Sequence, residues 1–298
     1  MKTDKTSVIV VEQANDDERC LPIESEESQK KSVESSAHKQ FFKITQHFGL
    51  EAPLLPIEKQ MPLEDRSNKR ERLASLRKQE NIEAIMEKTS SFCANKSIDK
   101  RPDLDWFERY ITLAENVSNT TMQDLWAKIL AGELSRPGSY SLKALKVFRD
   151  MSIADAKLLA KACSLAVKDQ SKKNIRILSG TYQQPGILNF FNKDRQQHIN
   201  LSHFGLNYAD ILSLADNNLL FKQESESNMM ASGETLSFYY NGSPLKLSSK
   251  KNNIALQFYK FTPIGAELAS LISDKPNEEF FAVLKQQLKL HFEVVGSE

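Results

Sequence analysis

Between Pro102 and Leu134 the apolar positions fall on two helical stripes. Trp106, Phe107, Tyr110, Ile111, Ala114 and Val117 make the first, and Met122, Leu125, Trp126, Ile129 and Leu130 repeat at i, i+3, i+4, i+7, i+8 in the second. The pattern predicts two amphipathic helices, with Thr120 and Gln123 at capping-box spacing between them. Gly132 and Arg136-Pro137-Gly138 then turn the chain, which predicts a tight helical hairpin. Ser141 is placed to cap a short helix carrying Leu142, Leu145 and Phe148. Ser152 and Asp155 repeat the capping-box spacing ahead of a helix through about Lys168, with Ala156, Leu159, Cys163, Ala166 and Val167 inward.

After Lys168 glycines precede short apolar runs and β-type residues become common. Asn207 is placed to cap a helix with Tyr208, Ile211, Leu212 and Ala215 on its inner side. Thr235–Tyr240 reads as a strand, Asn241-Gly242 as a tight hairpin turn, Leu245–Leu247 as the partner strand and Ile254–Thr262 as a third. Thr262-Pro263 has the form of an N-cap followed by proline at the first helical position, and Asn277 caps a last helix with Phe280, Phe281, Leu284 and Leu288.

Upstream the pattern is weaker. Met1 to His38 holds nine acidic and five basic residues and no aromatic, a composition expected to stay disordered because it buries too little apolar surface. Phe41 to Leu63 is apolar but broken by Pro53, Pro56 and Pro62, which predicts an extended segment. From Arg66, Gly and Pro vanish for about thirty-five residues and a long helix is expected, with Leu73, Leu76, Ile82, Ile85 and Met86 apolar. Arg66, Lys69, Arg70, Arg72, Arg77 and Lys78 face Glu71 alone over 66–78. Such a run is read first as a solvated face and second as a contact for nucleic acid or an acidic partner.

Composition narrows the classes. The chain has 298 residues, 40 Lys+Arg against 39 Asp+Glu and 40% hydrophobic residues, so it is not globally basic and is long enough to build a core. No apolar run approaches the ~18 residues a bilayer requires, and membrane partners are excluded on that ground. Cys20, Cys93 and Cys163 have no paired spacing, which fits a reducing compartment and a cytoplasmic protein.

Candidate chemistry is sparse. No nucleophile elbow, phosphate loop, dinucleotide fingerprint or zinc-protease helix is present, and no catalytic residue, cofactor or metal is assigned. Pro102-Asp103 with Asp155-Ala156-Lys157 spells a nuclease motif, but Asp155 fits the first turn of a capped helix. His198 and His203, with Asp194 and Asp210 nearby, match neither a strand face nor successive helical turns. Glu133, Arg136 and Ser141 flank the Gly and Pro-Gly turn, either as a binding corner or as a structural one in which Glu133 satisfies turn amides or pairs with Arg136.

Two resemblances follow. Asp105-Trp106-Phe107, Asn116-Val117-Ser118, Leu125 to Glu133 (LWAKILAGE) and Arg136 to Leu145 (RPGSYSLKAL), with Arg77 to Glu83 upstream, resemble an uncharacterised bacterial protein family, a domain of unknown function. That resemblance implies a bacterial cytosolic origin and no assigned activity. The order of helix 153–168, helix 207–216, hairpin, third strand and Phe261-Thr262-Pro263-Ile264-Gly265 resembles a winged-helix module. It implies a recognition helix at Asn207–Asp216 and a wing at 234–262. Lys246, Lys250, Lys251 and Lys260 make that wing about +4, favourable for phosphate, whereas the recognition helix carries Asp210 and Asp216 and no Lys or Arg.

The expected fold is mainly α with a small antiparallel β ribbon, an α-helical signature domain plus a winged-helix-like C-terminal module. Its expected segments are a disordered leader over 1–40, an extended segment over 41–65, the helical domain over 66–150 and the α+β module over 151–298. The expected function is a non-enzymatic regulatory or interaction protein that binds a protein partner or duplex DNA; the alternative is a hydrolase or nuclease near Glu133 or His203.

Overall fold

Two units divide the chain, Met1–Ser75 and Leu76–Glu298. The computed structural model describes residues 26–93, 103–171, 173–185, 195–272 and 275–296. In the N-terminal unit α1 spans Glu26–His47. Helix therefore occupies the second part of the expected leader and the start of the expected extended segment. The local reason is that no Gly or Pro interrupts Ile23 to Phe48, so helix propensity wins where composition alone predicts disorder. Gly49, at φ +68°, ends the helix in the left-handed region. Where an extended segment is expected, the chain between Gly49 and Leu63 forms short 3-10 turns at Ala52–Leu54 and Ile57–Lys59, with Pro53 and Pro56 barring a regular helix. Helix α2 spans Leu63–Cys93, with Glu64 and Asp65 complementing the positive end of its dipole. Its residues to Ser75 belong to this unit.

The C-terminal unit opens with the rest of α2 and the two striped helices, α3 (Leu104–Ala114) and α4 (Thr120–Ser135). The cap of α4 is Asn119, whose side chain accepts from Met122 N at 3.1 Å, and not Thr120. Gln123 instead donates to the Val117 carbonyl at 2.9 Å. Ser141 caps α5 (Leu142–Asp150), and Ser152 with Asp155 makes the expected capping box on α6 (Ile153–Ser164). Helix α6 stops before Lys168, because Val167–Asp169 is claimed by the sheet as β1.

The sheet is the main departure from expectation. To β1 it adds β2 (Ile175–Gln183), β3 (Gln196–His198), β4 (Ser225–Glu226), β5 (Thr235–Tyr240), β6 (Ser243–Ser249), β7 (Ile254–Lys260) and β8 (Phe292–Gly296). Among the described residues it is eight-stranded and antiparallel, in the order β4-β7-β2-β1-β5-β6-β8, with β3 on β2. The expected hairpin exists as β5–β6, turning at Asn241 and Gly242 with φ of 45° and 92°. Its third strand does not pair with it: β7 pairs with β2 and β4. What was expected as a ribbon is one part of a sheet flanked by β1 and β8.

Three helices complete the unit: α7 (Tyr208–Asp216), α8 (Pro263–Ala269) and α9 (Glu278–Leu288), capped by Asn207, Thr262 and Asn277. Helix α6 packs on α7 and α8, α5 on α3 and α8, and α9 on β2 and β8. One hydrophobic cluster runs from Ile85 through Trp126 and Ile177 to Phe292, so residue 150 marks no break in the core. Two glycines make this packing feasible. A Cβ at Gly265 would lie 2.0 Å from the Leu219 carbonyl oxygen, and one at Gly180 would lie 2.1 Å from that of Gln197.

Candidate interaction surface

The corner after α4 is a built structure. Glu133 is buried at 3% exposure, and its carboxylate accepts three backbone amides: Gly138 N at 2.6 Å, Ser139 N at 3.0 Å and Tyr140 N at 3.1 Å. Gly138 takes φ +82°, which folds these three donors around one side chain. The next residue is held too, since Ser141 N donates to Glu267 of α8 at 2.7 Å. Tyr140 spans the same gap, its hydroxyl 2.9 Å from Ser270 and its carbonyl accepting the Trp106 indole at 2.8 Å. Gly132 leaves room for the Tyr140 ring, because a Cβ there would come within 2.9 Å of it. Glu133 therefore satisfies turn amides and Ser141 caps α5. Arg136 is exposed, with Nε donating to the Ser139 hydroxyl at 3.2 Å.

The lysines expected on a wing do not gather. Lys246 is exposed on β6, paired across the sheet with Ser237 and Val295. Lys260 ends β7, which β2, β1 and β5 separate from β6. Lys250 reaches the carbonyl of Lys289 at 2.6 Å, a cation at the C-terminal end of α9 where the helix dipole favours it. The Lys251 carbonyl accepts from Ser249 at 2.7 Å. Helix α7 buries Ile211 and Leu214. Asp210 is spent on the capping box with Asn207.

Other candidates are dispersed as well. His198 lies on β3 opposite Gly180, and His203 sits in the 3-10 turn Leu201–Phe204, 3.3 Å from Asn200. Among the described residues no three His, Cys, Asp or Glu side chains come together as a metal site. Asp103 caps α3, and Asp155 lies in the first turn of α6 as the partner of Ser152 in its capping box, as its position predicts. Asp194, Pro102 and Cys20 lie outside the described residues. Trp106, Tyr110 and Trp126 are core. Burial pushes the Tyr110 hydroxyl well above the ordinary phenol range, and it donates to the Trp126 carbonyl at 2.8 Å.

The N-terminal unit has the opposite character. Of residues 36–75 only Glu51 and Ala52 are buried. Phe41 is 53% exposed, Ile44 58%, Ile57 82% and Leu63 74%. Phe41 and Ile44 share one face of α1 at i, i+3, with Lys39 and Lys43 exposed beside them and no carboxylate from Ser36 to Leu50. Of the basic run, Lys69 pairs with Glu51, whose carboxyl that hydrogen bond holds below the usual glutamate range. Arg66 is half-buried, and Arg70 and Arg72 are exposed.

Residues 65–285 match the family described as Protein of unknown function (DUF2806). The chain belongs to this DUF2806 family. No curated protein and no solved structure matches it. The match takes in the Glu133 corner, the sheet as far as β7 and most of α9. The exposed residues Phe41, Ile44, Ile57 and Leu63 precede it. In this DUF2806 chain, reading the sequence alone missed β2 and β8 along with the short β1, β3 and β4. The signals were there in Ile175-Arg176-Ile177-Leu178 and Phe292-Glu293-Val294-Val295, but each is a short apolar run without strict alternation. No helix of the described residues is long and apolar enough to cross a membrane.

Proposed function

We propose that this protein works by binding another protein, and that the N-terminal unit supplies the docking surface. The supporting observation is that Phe41, Ile44, Ile57 and Leu63 are exposed where large apolar residues elsewhere in the chain are mostly buried. Lys39, Lys43, Arg70 and Arg72 are exposed in the same unit, so the partner that complements it is an acidic segment with its own apolar stripe. A winged-helix reading of α6, α7 and β5–β6 keeps the element order, and duplex DNA is the partner it would favour. Against that partner stand the separation of Lys246 from Lys260, the engagement of Lys250 and the absence of Lys or Arg on α7. An enzymatic reading at Glu133 is opposed by the three amides that occupy its oxygens. A free thiol at Cys93 suits a cytoplasmic setting.

A photo-crosslinking residue at position 41 of the full chain, in extract of the native cell, tests the proposal. The expected product is a discrete protein crosslinked through an acidic, apolar peptide, lost with Ile44→Asp and weakened by salt. Crosslinks to lipid, to nucleic acid or to a second copy of the chain would each overturn it.

A further inference from the structure

Arg176 is the least expected side chain of the sheet. It lies on β2, half-buried, and its guanidinium carbon sits 4.7 Å from the ring centre of Phe258 and 5.6 Å from that of Phe238. Two buried aromatic rings thus fix the position of a planar, permanently charged group. Its Nε is buried with no hydrogen-bond acceptor, and no described carboxylate forms an ion pair with it. A buried donor without an acceptor is costly, more so on a charged group.

The neighbours sharpen the point. Lys260 stands directly opposite Arg176 in the β2–β7 register, itself half-buried and in no ion pair among the described residues. Like charges in opposed positions repel and weaken a sheet. Asp169 on β1 is the carboxylate whose charge Arg176 feels, but it is committed to the turn that follows. One of its oxygens accepts from Ser171 at 2.7 Å and from Asn174 N at 3.3 Å; the other accepts the Asn174 side-chain amide at 2.7 Å. Burial pulls the Arg176 pKa down, and the charge of Asp169 only partly opposes it. Two cations, one forked and one a point charge, are therefore held side by side with no acceptor supplied by the described chain.

We infer that Arg176 and Lys260 form a binding site for a small phosphate-bearing ligand, with the guanidinium held in position by the rings of Phe238 and Phe258. A guanidinium fork offers two parallel N–H groups to a tetrahedral oxyanion, and the neighbouring ammonium balances its second charge. The site belongs to the sheet of the C-terminal unit and does not depend on the docking reading.

Inorganic phosphate titrated into the full chain by calorimetry and by thermal denaturation, at constant ionic strength against chloride, tests it. Saturable binding with a rise in Tm is expected, shared by sulfate and absent with chloride. Arg176→Met keeps an apolar body between the rings and should weaken binding by more than about tenfold, the scale of a charge-assisted contact. Lys260→Met should weaken it about three- to tenfold, and Arg176→Lys should behave like Arg176→Met because it loses the fork. Lys246→Met, on a separate strand of the sheet, should leave it unchanged. No saturable response in the folded wild-type chain, equal loss with Lys246→Met, or unaltered binding in folded Arg176→Met or Lys260→Met would each overturn the site. If Arg176→Met fails to fold, Lys260→Met decides alone.

Discussion

Helices α1 and α3 both carry large apolar side chains and end in different fates. Trp106, Tyr110 and Ala114 of α3 are buried, and the Tyr110 ring meets Trp126 edge-on at 5.3 Å. Phe41 and Ile44 of α1 remain more than half exposed. The difference is in what each helix finds. The stripe of α3 meets α4 and α5 within one cluster, whereas the described part of the N-terminal unit offers Ala52 as its buried apolar residue. An apolar stripe states that a surface seeks cover; only the surrounding chain decides whether that cover is internal.

The comparison can be broken most forcefully in the C-terminal unit. Trp126→Ala should cost about 3–5 kcal/mol in denaturant unfolding, because a fully buried ring that also packs on Phe148 leaves a cavity. A loss below about 1 kcal/mol would show the core to be loosely packed. Glu133→Ala should follow at about 2–4 kcal/mol, since three turn amides lose one shared acceptor while the hairpin keeps them out of water. Glu133→Gln, which keeps an acceptor oxygen, should recover part of that loss.

Smaller effects sharpen the contrast. Lys250→Met should remove about 0.3–1 kcal/mol, the worth of a cation at a helix C-terminus, and that loss should shrink with salt. At Asp169 burial pushes the carboxyl pKa up, but hydrogen bonds from Asn174 and Ser171 outweigh it and hold it below the usual aspartate range. Its stabilising contribution is therefore present above the unfolded pKa and lost as pH falls through the lower, folded one. Acid titration of stability should be shallower in Asp169→Asn than in wild type. Least of all, Ile44→Ser in α1 should change unfolding by no more than about 0.5 kcal/mol, because the side chain is already in water. A loss above about 1 kcal/mol would place that face in the core and remove the docking proposal.

Much of the helical fold was legible before any coordinates. Ser141, Ser152 with Asp155, Asn207, Thr262-Pro263 and Asn277 cap helices where their side chains predict, because a cap is a contact over three residues and needs no distant partner. The Asn241-Gly242 turn was legible for the same reason. The pairing of β7 with β2 was not, since it joins residues some eighty positions apart and the hairpin beside it offered a nearer partner. The structural reading of the Glu133 corner could be named among alternatives, but its choice needed the amides of 138–140 folded around one carboxylate.

The sequence by itself determined where helices begin, where the chain must turn and which residues are apolar, because each of these is settled by dihedral preference and hydrogen bonds within a few residues. Tertiary structure alone decided that eight strands of the described residues share one sheet, that Lys250 ends on a helix carbonyl and that Arg176, packed on two rings, faces Lys260. Those outcomes depend on register and on packing between distant segments, where one residue of slip moves a side chain to the other face of the sheet.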